Sequence, residues 1–177
     1  MVLENVVLTD ALECCWHCRN AKLRGVQAEH GDYLFMHGEN IDVDGFRLNG
    51  NYSFQYCRNV VIRNAEIHSK DAFWNTEDVT VYDSVVDGEY LGWHSRNLRL
   101  VNCRISGTQA LCYAENLVLE NCTLGEDADL CFEYSSVHAE IKGRVHSVKN
   151  PRSGRIVAEE YGDIILDEHC NCLLYTS

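Results

Sequence analysis

Written in rows of 19 from Ile41, the chain falls into columns, and this periodicity constrains its fold more than any other feature. Rows open on Ile41, Val60, Val79, Leu98 and Leu117, all aliphatic. The third place holds Val43, Ile62, Val81, Leu100 and Leu119, and the eighth holds Leu48, Ile67, Val86, Ile105 and Leu124. The fifth place reads Gly45, Asn64, Asp83, Asn102 and Asn121, and rows close on Asn59, Asp78, Asn97 and Asn116. Two earlier rows of 20 close on Asn20 and Asn40, and two looser rows follow from Val137 and Ile156.

A fixed period near 20 residues signals a solenoid, in which each repeat buries its apolar face only against its neighbours. Leucine-rich repeats share the period but need a leucine skeleton and a helical back. Here apolar and polar residues alternate at period two, in short bursts separated by Asn, Asp, Gly and Ser, with one Pro in the whole chain. Asn suits the tight corners because it tolerates a left-handed backbone and can bond the Asn of the next coil. The predicted fold is all-β: a single-stranded right-handed parallel β-helix, a solenoid of about nine coils of 19–20 residues over 1–168. Residues 169–177 are expected to be an irregular tail, since Cys170–Ser177 abandons the pattern and resembles translated adapter sequence. Val2-Leu3-Glu4-Asn5 matches Val118-Leu119-Glu120-Asn121, so the chain is expected to start inside a coil, as a fragment lacking N-terminal coils.

Charge narrows the partners. A formal net charge of -12 repels nucleic acid and anionic lipid, so neither a nucleic-acid nor a membrane partner is expected. It favours a neutral glycan over a polyuronate, unless calcium bridges an acidic ligand; no other cofactor is expected. With no basic n-region and long apolar stretch at the start, the expected location is cytoplasmic, with the ten cysteines as free thiols. Cys103 with Cys122, and Cys112 with Cys131, are expected to stack as small hydrophobes in two columns. Cys14-Cys15-x-x-Cys18 contains a CxxC, but no second CxxC exists. Strand alternation would send Cys15 and Cys18 to opposite faces, so no metal site is expected.

Several rows resemble a known family. Gly50-Asn51-Tyr52-Ser53-Phe54-Gln55-Tyr56, Lys70-Asp71-Ala72-Phe73-Trp74, Gly88-Glu89-Tyr90-Leu91-Gly92-Trp93, Gly107-Thr108-Gln109-Ala110-Leu111-Cys112-Tyr113 and Ser147-Val148-Lys149-Asn150-Pro151-Arg152-Ser153-Gly154 are similar to domain of unknown function family 3737. Ala110 stands where the family's row usually has Pro. The resemblance covers roughly residues 1–168 and implies a bacterial, pectate-lyase-type right-handed β-helix with more coils upstream. It brings no activity, so it adds no catalytic residues.

The third segment of each coil is the most informative about function. Read as a strand, places 13, 15 and 17 face inward, including Ser53, Gln55, Cys57, Trp74 and Trp93, and none of these residues is charged. Places 12, 14, 16 and 18 then face solvent. Place 18 alternates Arg19, Glu39, Arg58, Glu77, Arg96 and Glu115, an ion-pair ladder that would fix register. The remaining outward places make an aromatic strip of Tyr33, Phe35, Tyr52, Phe54, Tyr56, Phe73, Tyr90 and Tyr113, through which run His37, Asn75, His94 and Asp71. Exposed aromatics in a row mark a binding surface. Sugars stack on such rings, so the leading expectation is carbohydrate binding or processing through this strip.

Within the strip, His94 and Asp71 are the candidate general acid–base pair, with backbones roughly 8 Å apart by the row alignment. Calcium-type lyase chemistry would want clustered carboxylates with an Arg or Lys base, and no Asp triad for glycoside hydrolysis is evident. Two other readings fit the same strip: a non-catalytic scaffold that self-associates as a homo-oligomer or binds a protein through it, and a polysaccharide lyase or glycoside hydrolase whose remaining groups lie on absent coils.

Overall fold

The computed structural model describes all 177 residues, and it contains no helix. The chain winds into a parallel β-solenoid of about nine turns. One face stacks strands Arg19–Glu29, Glu39–Asn51, Arg58–Arg63, Glu77–Tyr82, Arg96–Val101, Leu117–Leu124, Ser136–Ile141 and Ser153–Ala158. The adjoining face stacks Glu66–Lys70, Val85–Asp87 and Arg104–Ser106 against the later halves of the long strands. Register follows the 19-residue rows: Ile41 pairs with Val60, Val60 with Val79 and Val79 with Leu98, while Leu48 pairs with Ile67 and Ile67 with Val86. The aliphatic columns therefore superpose, and 43 buried residues join in one core running the length of the solenoid.

Both Asn columns mark corners. Asn20, Asn40, Asn59, Asp78, Asn97 and Asn116 all hold φ between 51° and 56°. Their side chains bond from coil to coil, as in Asn59 to Asn40 (2.7 Å) and Asn97 to Asp78 (2.8 Å). The second column repeats this from Asn121 to Asn102 (2.6 Å) and Asn102 to Asp83 (2.9 Å). A third corner is tight for a different reason: a Cβ at Gly88 or Gly107 would strike the backbone of Ser69 or Gly88 one coil below. The charge ladder forms as well, with Arg58–Glu77 at 3.4 Å and Arg96–Glu115 at 3.2 Å. These pairs are exposed, so each contributes on the order of 0–1 kcal/mol and acts mainly on register.

The third segment differs from the strand expected of it. Every second residue there is left-handed: Tyr52, Phe54 and Tyr56, then Asp71, Phe73 and Asn75, then Tyr90, Gly92 and His94, with φ between 52° and 68°. The segment is a run of successive turns. Its amides alternate in direction, Tyr52 and Tyr56 donating to Lys70 and Trp74 of the following coil and Phe54 donating to Leu34 of the preceding one. Side chains consequently repeat every four residues. Tyr52 and Tyr56 point out, while Phe54 between them points in.

This corrects three expectations. Phe35, Phe54 and Phe73, expected on the exposed strip, have no solvent exposure and stack as a ladder inside the core, with centroids 5.0 and 5.7 Å apart and Phe46 edge-on to the first two. Trp74 and Trp93, expected inside, lie half-exposed on the outer surface and stack at 5.4 Å. Cys131 and Cys112 do not share a column: Phe132 bonds to Ala110 as Leu111 bonds to Leu91, which sets Cys131 over Ala110. Cys103 and Cys122 do lie together, both buried.

Two differences lie near the C-terminus. Gly154, rather than Ile156, stands over Val137. Residues 171–176, expected in an irregular tail, form a strand paired residue by residue with Ser153–Ala158.

The inward Phe ladder can be weighed against the outward rings. Phe54→Ala opens a void among Phe35, Phe46 and Phe73, and is expected to lower unfolding stability by about 3–5 kcal/mol. Tyr56→Ala loses one stacked contact and some half-exposed area, about 0.5–1.5 kcal/mol. Urea unfolding of both variants checks the burial pattern, and similar losses would contradict it.

Candidate functional site

The outer surface of the turn segment carries three parallel columns. At place 16, His17 stacks on His37 and His37 on Tyr56, each at 4.9 Å, and further along His94 stacks on Tyr113 at 5.2 Å. At place 12, Tyr33 stacks on Tyr52 at 4.6 Å. At place 15, Trp16 and Trp93 lie back across the segment, and each donates its indole N–H to the place-12 carbonyl of the next coil, Tyr33 or Gln109, at 2.6 Å. Gln55 does the same to Asp71 at 3.2 Å. Rings spaced by one coil cover one another's faces and show solvent only their edges.

The coil of Asp71, Trp74 and Asn75 interrupts this arrangement. Asp71 takes the place of a ring between Tyr52 and Tyr90, and Asn75 the place of a ring between Tyr56 and His94. The backbone continues the columns, since the amides of Tyr52, Asp71 and Tyr90 donate to Lys70, Glu89 and Thr108 in turn. Tyr56 therefore has His37 on one face and no ring on the other, and it is 39% exposed. Trp74, unlike Trp16 and Trp93, gives its indole N–H to no acceptor, and the Asn75 side-chain amide makes no bond, although its backbone amide donates to Trp93. Asp71 is only 9% exposed, yet its carboxylate accepts no hydrogen bond. Burial holds that carboxyl above the usual carboxylate range; Lys70 opposes the shift and Glu89 adds to it. Lys70 itself lies 3.5 Å from Glu89 and 5.3 Å from the Tyr90 centroid. All three polar side chains on the outer face of this coil are thus uncommitted.

Two concavities border the coil. One, of about 400 Å³, holds His37, Tyr56, Asn75 and His94, with Arg58 and Arg96 at its rim. The other, of about 690 Å³, runs along the glycine corner past Asp32, Asn51, His68, Lys70, Asp87 and Glu89. Although larger, the second has Asp32 and Asp87 already engaged. Asp32 accepts from Asn51, and Asp87 accepts from Ser106 at 2.7 Å and contacts His68 at 3.0 Å. Hydrogen bonds to Asp87 and then Glu66 raise the His68 pKa.

The structure gathers most of the expected binding residues and divides the rest. His37, Tyr56, Asn75 and His94 share one concavity. Tyr52 and Tyr90 flank Asp71, and Tyr113 backs His94. Phe54 and Phe73 cannot touch a ligand, because they are fully buried. No direct contact joins the candidate acid–base pair: the charges acting on Asp71 are Lys70 and Glu89, whereas His94 faces the Asn75 concavity and packs near Trp74 at 5.4 Å. Sequence reading missed Trp74 as a surface group, and it missed the corner groove, whose signal was Gly50, Ser69, Gly88 and Gly107 at 19-residue spacing. Cys14, Cys15 and Cys18 all pack against the core rather than on opposite faces, and no group of three or more His, Cys, Asp or Glu is placed to hold a metal.

The Asp71 arrangement has a measurable cost. A raised folded-state pKa means the folded protein binds the proton more tightly than the unfolded chain does, so stability falls as pH rises through that pKa. Asn tolerates the left-handed backbone and stays neutral. Asp71→Asn is therefore expected to raise the thermal midpoint near neutrality by about 2 °C, a gain that vanishes once the solution falls below the ordinary carboxylate range. A lowered midpoint at neutral pH would show that the carboxylate is satisfied in the folded protein.

Comparison with known proteins adds the family. A family profile described as Protein of unknown function (DUF3737) matches residues 1–173. No curated protein and no solved structure matches the chain. The match spans nearly the whole solenoid, coil of Asp71 included, and the chain belongs to the DUF3737 family.

Proposed function

We propose that this protein binds a saccharide at the coil of Asp71, Trp74 and Asn75. The observation that carries the reading is the break in both ring columns at one coil, together with three polar side chains there that have no partner. A sugar ring needs an apolar face to lie on and donors and acceptors for its hydroxyls. Along the place-16 column, His37 has rings on both faces and His94 is backed by Tyr113. Here Tyr56 offers a free face, with the Asn75 side-chain amide and His94 beside it. Carbohydrate recognition, rather than processing, is the form the geometry favours, because His94 and Asp71 make no direct contact and no carboxylate faces the Asn75 concavity except those of the ion-pair ladder. The acidic net charge favours a ligand that is not anionic.

Thermal-shift and calorimetric titration with neutral and acidic oligosaccharides, with and without calcium, tests this. The expected result is saturable binding of a non-anionic glycan, weakened at least about tenfold in Tyr56→Ala and in His94→Ala. Tyr134→Ala, at the far end of the place-16 column, should leave it unchanged. No shift with any glycan from the folded protein would remove the carbohydrate reading. Protein association through the exposed rings would then lead, and light scattering would report it as mass that rises with concentration.

A further inference from the structure

The saccharide reading leaves open which chemical class of sugar the coil prefers, and Asp71 bears on that choice. This inference rests on the proposed site. The Asp71 side chain stands in the place of a ring, with Tyr52 on the coil before and Tyr90 on the coil after, and all three share the same left-handed backbone at φ 52°, 59° and 58°. It is nine-tenths buried and accepts no hydrogen bond. The nearby charges are Lys70 and Glu89, which pair with each other at 3.5 Å. Once that pair is set aside, one negative charge remains on Asp71. A carboxylate that loses part of its hydration to burial without gaining a hydrogen-bond partner is costly for a protein to maintain. A cationic ligand that neutralises it recovers that cost on binding.

The neighbouring rings point the same way. The face of an aromatic ring attracts a cation, most strongly where water is excluded. The site already displays this attraction, since the Lys70 ammonium lies 5.3 Å from the Tyr90 centroid. A carboxylate between two tyrosines is suited to an ammonium group. It is ill suited to a carboxylate or sulfate, which Asp71 and Glu89 would repel. An N-acetyl group would present an amide N–H but no charge. Four residues along the same turn segment, Asn75 and the free face of Tyr56 are placed for the rest of the sugar.

We propose that the coil recognises a saccharide bearing a free primary ammonium, with Asp71 as the group that reads the charge and Tyr52 and Tyr90 as the rings that flank it. The class is that of amino sugars, of which a glucosamine oligomer is the simplest member.

Three tetramers with one backbone and one linkage separate this from a general affinity for sugars. Cellotetraose, N,N′,N″,N‴-tetraacetylchitotetraose and the fully deacetylated glucosamine tetramer differ only in the group at C2: hydroxyl, acetamide or amine. Titrated near neutrality into the full-length chain, the glucosamine tetramer is expected to bind at least about tenfold more tightly than the other two, equivalent to about 1.4 kcal/mol. Asp71→Asn should remove that preference, bringing the glucosamine tetramer to the affinity of the two uncharged ones. Glu140→Gln, the same change of net charge at an exposed place on the first sheet, should keep it.

Equal affinity for all three tetramers, lost together in Tyr56→Ala, would overturn the ammonium inference and leave the saccharide site standing. A preference that Glu140→Gln weakens as much as Asp71→Asn would overturn it as well, by showing attraction to the overall charge. Binding of none of the three would overturn it along with the saccharide site.

Discussion

Backbone hydrogen bonds between coils fix the rise of a parallel solenoid at about 4.8 Å, and with a constant row length each residue lies over its counterpart one row away. In this chain the row is 19 residues from Ile41 to Leu117, and every column becomes a stack of like groups at that spacing. Aliphatic columns make a dry core. Asn columns make ladders that bond each left-handed corner to the next. Aromatic columns place ring on ring at 4.6 to 5.7 Å, close to the coil rise itself. The same repetition gives the turn segment its left-handed residues. Each such residue costs a non-glycine side chain roughly 1–2 kcal/mol, offset in Tyr52, Phe54 and Tyr56 by inter-coil hydrogen bonds and by stacking, on one face in the two tyrosines and on both in Phe54.

Function is therefore sought where the repetition fails. A ring stacked on both sides has no free face, so a continuous ladder is structural even when its edges are exposed. Only the coil of Asp71, Trp74 and Asn75 breaks the place-12 and place-16 columns together while Phe73 keeps the inner ladder intact. The core thus passes through this level without interruption, and the surface above it carries an unpaired carboxylate, an unpaired indole N–H and an unpaired amide. A buried carboxyl without partners is a stability burden of the kind found at binding sites. Such groups deserve more weight here than cavity size, since in the larger corner groove Asp32 is already bonded to Asn51 and Asp87 to His68 and Ser106.

The solenoid, its row length, both Asn columns and the ion-pair ladder were legible because each depends only on which residues recur 19 apart. The phase of the turn segment was not. Alternating polarity was read as strand alternation, which sends residues two apart to the same face. With every second residue left-handed, the side chains instead repeat at four. Phe54 and Phe73 went inward with Ser53 and Ala72, and Trp74 and Trp93 came out. A hint lay in the sequence: Phe35, Phe54 and Phe73 recur in one column, where three consecutive fully exposed Phe residues would be unusual on a protein surface. The candidate residues His37, Tyr56, Asn75 and His94 survived because place 16 faces out under either phase.

The central claim is that Asn75 marks an open rung in an otherwise stacked column, and repairing the rung tests it most directly. In Asn75→Tyr the new ring has Tyr56 below and His94 above, as Tyr113 has His94 beside it. The account predicts a thermal midpoint that rises by about 2–4 °C, from one restored stacking contact, together with loss of saccharide binding. A midpoint that falls, or binding that persists with the rung filled, would contradict it.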